Sequence, residues 1–197
     1  MRPLPFVWPV CLVFWLAYVW VFFPEWQLVR RSRRSPAARG AQDAGSLRVI
    51  ICGNGLAVAA AFLLAFTARG AVMTAAKSPA YYAGVVMIVA AGLLRRHCFR
   101  MLGARFTGAV DVAPGQQVVE RGAYRWVRHP SYTAGMLLFA GIGLALGNWA
   151  SLAVAIVIPL LAYSYRVAVE ERALLATIGM PYEVYRTRTR RYIPFVL

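Results

Sequence analysis

Two short stretches of this chain hold residue types that do chemistry. The first is Gly122-Ala-Tyr-Arg-Trp-Val-Arg-His-Pro-Ser-Tyr-Thr-Ala-Gly135. His129 is one of only two histidines. Pro130 directly after it biases His129 away from helical geometry and suits the first position of a helix. Ser131 and Tyr132 then fall in the first turn, where N–H groups without helical partners could receive a polar or anionic ligand group. The same residues suit a juxtamembrane anchor, with Arg125 and Arg128 on lipid phosphate and Tyr124, Trp126 and Tyr132 in an interfacial belt. Both readings stand at this level.

The second stretch is Arg166-Val-Ala-Val-Glu-Glu171. Arg166 and Glu170 are four apart and share a helix face, with Tyr163 one turn earlier on it. Charged groups at the end of a membrane helix are costly unless paired or turned to a polar cavity. Arg166 and Glu170 could simply satisfy each other, or they could serve a ligand. Glu171 and Arg172 point off this face, toward other loops or water.

The elements that must position these groups are membrane helices. The 197 residues are 60% hydrophobic and carry a net charge of +15, nearly all from arginine, since Lys77 is the only lysine. Four or five apolar runs approach the ~20 residues that cross a bilayer. The arginines sit in loops between those runs, so the membrane surface explains them and nucleic acid does not. Cys11, Cys52 and Cys98 show no metal spacing and no disulfide framework, and nothing marks a metal site.

Taken in order, residues 5 to 23 form a first, retained span rather than a cleaved signal peptide, ended by Pro24-Glu25-Trp26. A basic linker from 24 to 46 follows, with Arg30, Arg31, Arg33, Arg34 and Arg39; it could bind anionic lipid or act as a solvated topology signal. The second span, about Leu47 to Phe66, has small residues for close packing and one polar side chain, Asn54, suited to an interhelical hydrogen bond. The third, about Ala80 to Leu94, ends in a basic cluster containing His97. Asp111, Pro114, Gly115, Gln116 and Gln117 suggest a loop against the site. Spans four (Thr133 to Leu146) and five (Trp149 to Val167) form an antiparallel hairpin across Gly147-Asn148, and an amphipathic helix covers 181 to 190.

The expected fold is thus an all-α integral membrane protein with about five transmembrane helices. Residues 1–94 would form the first three spans and 95–197 the functional core. Basic residues number six, two and seven in the first three loops, none in the hairpin turn and six in the C-terminal part. By the positive-inside rule this puts the N-terminus outside and both chemical stretches on the cytoplasmic side of a cell membrane.

The string Gly122-x-Tyr124-x-x-x-Arg128-His129-Pro130-x-Tyr132-x-x-Gly135 resembles the signature of the isoprenylcysteine carboxyl methyltransferases, with the phospholipid N-methyltransferases as wider relatives. The second block of that pattern is also present, as Arg166, Glu170-Glu171, Gly179, Tyr182, Tyr185 and Ile193-Pro194-Phe195. The resemblance covers about half the chain, and its composition is similar to prokaryotic members. It implies a cytoplasmic-side pocket for S-adenosylmethionine. By position, Gln116, Gln117, Val118, Val119, Tyr124, His129, Pro130, Ser131, Tyr132 and Glu170 would hold the cofactor, and Arg166 and Glu170 would be catalytic. A glutamine that contacts cofactor in eukaryotic members has no clear match near Val110 and Asp111.

The implied partners are a lipophilic or lipidated acceptor and membrane lipid, with no nucleic acid and no metal. A carboxylate acceptor needs no base, and Arg166 could orient it by a bidentate contact. A phenol or amine would need proton removal, with Glu170, Glu171 or His129 as candidates. Two rival readings remain: a sterol-type membrane reductase using reduced nicotinamide, and a non-catalytic scaffold.

Overall fold

A computed structural model describes residues 2–34, 42–103, 110, 112 and 115–193. Asp111, Pro114, Arg39 and Pro194-Phe195 lie outside the described residues, as do the side chains of Arg30, Arg31, Arg33 and Arg34.

Among the described residues six α-helices make the fold: α1 (Cys11–Arg34), α2 (Ser46–Thr67), α3 (Lys77–Leu102), α4 (Pro130–Ala145), α5 (Trp149–Ile178) and α6 (Met180–Arg188). Among the described residues the only β features are two isolated bridges, Val72 with Asn148 and Val127 with Arg190. The protein is an all-α integral membrane protein. Helices α2, α3 and α5 are long and apolar enough to cross a bilayer, while Cys11–Phe23 of α1 and the whole of α4 are shorter apolar helices.

Two expected boundaries are corrected. Helix α1 starts at Cys11, after a 3-10 turn over Leu4–Phe6, and it runs through Pro24 to Arg34 instead of ending there. A proline inside a helix forfeits one ladder bond, and the cost is met where the flanking turns are otherwise paired; Pro159 inside α5 is a second case. Helix α3 continues past Leu94 to Leu102, so the basic cluster is helical. There the arginine stems lie along apolar surface while their heads find acceptors. Arg96 covers the Trp20 ring at 3.7 Å and donates to the Trp20 carbonyl, and Arg95 donates to the Ser131 carbonyl at 2.8 Å.

Close packing of α3 on α4 fixes the end of the bundle opposite the chemistry. A Cβ on Gly84 would sit 2.5 Å from the Gly141 carbonyl oxygen, so only glycine admits this backbone approach. The hairpin turn uses Gly147 at φ +66° and Asn148, whose side chain accepts from the Ala150 and Ser151 N–H groups and caps α5. Asn148 also donates to the Ala68 carbonyl, tying the hairpin to the end of α2. Asn54 donates to the Tyr163 hydroxyl at 3.1 Å, the interhelical bond its position suggests.

The chain runs up and down, so the start of α2, the end of α3, the start of α4 and the end of α5 share one end of the bundle. The contacts across that end are side-chain bonds: Asp43 and Ser46 to Arg166, Tyr165 to the Ala44 carbonyl, and Arg95 to the Ser131 carbonyl.

Candidate active site

The His-Pro stretch starts α4 as its residue types dictate. His129 is non-helical at φ −124°, and Pro130 takes the first helical position. The first turn is less open than the sequence suggests, because Tyr132 and Thr133 both donate their N–H to the His129 carbonyl. Residues 190–192 lie along the entering strand: Arg128 N–H donates to the Arg190 carbonyl at 2.7 Å and His129 N–H to that of Arg191 at 3.0 Å. Thr133 Oγ1 donates to the Tyr192 carbonyl at 2.7 Å, so the C-terminal segment straps the start of α4.

Tyr132 is the centre of the polar floor. Its hydroxyl donates to Glu170 Oε2 at 2.7 Å and accepts from Arg166 Nε at 3.1 Å. Its ring is stacked between His129, at 5.7 Å, and Tyr163, at 5.3 Å between centroids. Such a sandwich fixes the hydroxyl between the two charges. Arg166 and Glu170 therefore meet through Tyr132, which the helical spacing alone does not show.

Arg166 is anchored on its other edge. Its Nη1 donates to Asp43 Oδ1 at 2.5 Å and to Ser46 Oγ at 2.7 Å. Asp43, fully buried, also accepts from the Leu47 N–H, the Val110 N–H and Ser46 Oγ. Burial pushes the Asp43 carboxyl up, but the two backbone N–H bonds and the Arg166 charge outweigh it and hold the group below its usual 3.8. A carboxyl lowered by folding contributes stability that is complete above its unfolded value and lost as pH falls through its folded one. Melting temperature in detergent should thus fall as pH drops below about 4, and Asp43→Asn should flatten that fall; an unchanged acid limb in the variant would contradict it.

Glu171 contacts other loops, as its helix face implies, but it is buried away from water. It accepts from Arg128 Nε at 3.0 Å and from Arg191 Nη2 at 2.8 Å, and lies 3.3 Å from His129 Nε2. Arg128 also donates to the carbonyls of Arg186 and Thr189. The Tyr185 hydroxyl donates to the Tyr124 carbonyl at 2.7 Å, so α6 closes against the same loop. Burial raises the Tyr124, Tyr182 and Tyr185 phenols, keeping all three protonated.

These elements enclose a cleft of about 870 Å³, counting its open mouth. Gln116, Gln117, Val118, Val119, Tyr124, His129, Ser131, Tyr132, Arg166 and Glu170 all line it. Pro130 is not among these lining residues; it is buried as the first residue of α4. Sequence reasoning missed Arg128, Val110 and Val112 on the wall, and Asp43 and Ser46 behind it. Asp43 did leave a signal: it is one of only two acids in the basic linker, with Glu25, and is followed three residues later by Ser46 at the start of an apolar run.

The family described as phospholipid methyltransferase matches residues 79–178, from α3 to the end of α5. That is half of the chain, and it holds the His-Pro start, Arg166 and Glu170. The chain belongs to the phospholipid methyltransferase family. A probable protein-S-isoprenylcysteine O-methyltransferase of Oryza sativa subsp. indica is 26% identical over 117 residues, 58% of this chain and 61% of that protein. A protein-S-isoprenylcysteine O-methyltransferase of Schizosaccharomyces pombe is 33% identical over 79 residues, 40% of this chain and 34% of its own length. An uncharacterised Bacillus subtilis protein is 25% identical over 113 residues, 57% of this chain and 67% of its own. The chain thus spans about three fifths of the rice relative. In fold it is similar to the eukaryotic intramembrane Ras methyltransferase, isoprenylcysteine carboxyl methyltransferase. The TM-score is 0.59 at 20% identity, over 74% of this chain and 52% of that one.

For a phospholipid methyltransferase family member, the lining divides by task. The strip 116–119 is neither helix nor strand, so its peptide groups are not consumed by a helical ladder and can face a ligand. Glu170, Tyr132 and Tyr124 give a carboxylate and aromatic faces, a set that suits a cation. Arg166 gives a fixed guanidinium for an anion.

Proposed function

We propose that this protein transfers a methyl group from S-adenosylmethionine to a lipophilic acceptor, with a carboxylate or phenol oxygen as the accepting atom. The observation that carries the reading is the Tyr132 hydroxyl bridging Glu170 and Arg166 on the cleft floor. It sets a cation-binding group and an anion-binding group side by side, which methyl transfer between a sulfonium and an oxygen anion needs.

The donor set fits the cofactor: irregular backbone at 116–119, phenol faces at Tyr124 and Tyr132, and the Glu170 carboxylate, 29% exposed. The sulfonium, when bound, supplies a methyl carbon that is already electrophilic. The chain's work is then to position, to exclude water and, for some acceptors, to hold a proton. Arg166 would align a carboxylate acceptor. For a phenol, Glu170 and His129 are the bases that line the cleft, whereas Glu171 is held by Arg128 and Arg191 and is withdrawn from that role. Five membrane-crossing helices with the cleft toward the cytoplasm, where a soluble cofactor is met, agree with the alternation of basic loops. Membership of a methyltransferase family supports this over a nicotinamide-dependent reductase or an inert scaffold.

Equilibrium binding by the detergent-purified protein tests it. S-adenosylmethionine should bind saturably and NADPH should not, and Glu170→Ala should weaken the former at least about tenfold, the loss of one charged partner. Saturable NADPH binding, or none of either ligand, would overturn the reading.

A further inference from the structure

Arg166 and Glu170 carry opposite charges on one helix face, and a lone pair of this kind would cancel. Asp43 changes that count. Its carboxylate is fully buried and forms an ion pair with Arg166 at 2.5 Å. Arg166 thus faces two carboxylates, Asp43 by a direct ion pair and Glu170 through the Tyr132 hydroxyl, and of the two only Glu170, 29% exposed and 3.9 Å from His129 Nδ1, opens to the cleft. The neighbouring acid, Glu171, is already matched by Arg128 and Arg191. Asp43 and Glu170 against Arg166 leave this trio with one net negative charge, while Arg128 and the half-exposed Arg191 against Glu171 leave the neighbouring trio with one net positive charge.

We propose that Asp43 is a positioning residue that holds Arg166 and neutralises it, and so leaves the charge of Glu170 available to a cationic ligand. The proposal rests on the methyl-transfer reading above and deepens it, because the ligand concerned is the sulfonium cofactor. Asp43 lies outside residues 79–178, so the N-terminal half of this chain supplies part of the site's charge balance. The turn that carries it is wound for the purpose: Ala44 and Gly45 take φ of +45° and +72° in succession, and Tyr165 on α5 donates to the Ala44 carbonyl at 3.0 Å. A non-glycine residue is unfavourable in that region, so the turn is held by the contacts it makes.

Holding a side chain and setting a charge give different results when two ligands differ only in charge at sulfur. S-adenosylmethionine carries a sulfonium, and its demethylated product carries a neutral thioether. Loosening the site should weaken both alike. Removing the Asp43 charge exposes the sulfonium to an unmatched Arg166 and should weaken it selectively. Affinities of both ligands would be measured by titration calorimetry on the full chain in detergent. The variants are Asp43→Asn and the double variant Asp43→Asn with Arg166→Gln.

Asp43→Asn should lower the sulfonium-to-thioether affinity ratio about tenfold, the scale of one unit charge acting across a partly solvated site. The double variant, which removes both charges of the buried pair, should restore the wild-type ratio. A folded Asp43→Asn with an unchanged ratio would overturn the proposal while leaving the methyl-transfer reading intact. If Asp43→Asn does not fold, the double variant decides: a wild-type ratio supports the proposal and a lowered one overturns it. Wild type binding neither ligand would remove the methyl-transfer reading, and this proposal with it.

Discussion

Replacing Glu171 by alanine is expected to destabilise the folded protein by about 3–5 kcal/mol, the loss found when one member of a buried ion pair is removed. Its side chain is 5% exposed, and that of Arg128, its nearest buried partner, is 10% exposed. Alanine would leave the Arg128 guanidinium in a dry site with only the carbonyls of Arg186 and Thr189. The partners are not equal. Arg191 is 51% exposed, so its bond to Glu171 is screened, and Arg191→Ala should cost no more than about 1 kcal/mol. The loss at Glu171 is a large share of a typical stability of about 5–15 kcal/mol. It should also release the strap at 190–192 from the start of α4. Unfolding by heat in detergent, followed by circular dichroism, checks this; Glu171→Ala melting with Arg191→Ala would contradict it.

The contrast between Glu171 and Asp43 marks what can be read from a sequence. Glu171 stands beside Glu170, and its helix face shows at once that it turns toward other loops. Tyr132, Arg166 and Glu170 were legible because each sits in a short local pattern, a helix start or a four-residue spacing. Their meeting through the Tyr132 hydroxyl was not, since it depends on how α4 crosses α5. Asp43 bonds Arg166 across 123 positions, and no periodicity links a linker residue to a helix that far away. The helices themselves were legible from apolar run length, but their ends were not. Arginine at 95, 96 and 100 reads as the end of an apolar run, yet α3 continues to Leu102, with Arg96 on Trp20 and Arg95 on the Ser131 carbonyl. Pro24 reads as a stop, yet one missing N–H does not by itself end a helix, and α1 runs on to Arg34.

Arg166→Lys is expected to lower the turnover number about 100- to 1000-fold, the range seen when one charge-stabilising donor is lost, while cofactor affinity changes by less than about tenfold. The guanidinium is used on two edges: Nη1 on Asp43 and Ser46, and Nε on Tyr132. Lysine keeps the charge, so Asp43 stays paired and the fold should survive. One ammonium cannot hold both edges of a planar fork, so the Tyr132 hydroxyl and any acceptor oxygen lose their fixed partner. Tyr132→Phe separates the two parts of this argument. It keeps the Arg166–Asp43 pair and removes only the bridge to Glu170, so it should weaken cofactor binding more, and turnover less, than Arg166→Lys does. Methyl transfer would be followed with labelled cofactor and an acceptor panel of an isoprenylated cysteine, an alkyl phenol and a fatty acid, with binding measured separately. If Arg166→Lys turns over at the wild-type rate on the preferred acceptor, the guanidinium does not orient it, and the role falls to the Glu170–Tyr132 pair alone. If both turnover and binding collapse with the fold intact, Arg166 holds cofactor as well as acceptor, because a group serving only the acceptor cannot move cofactor affinity.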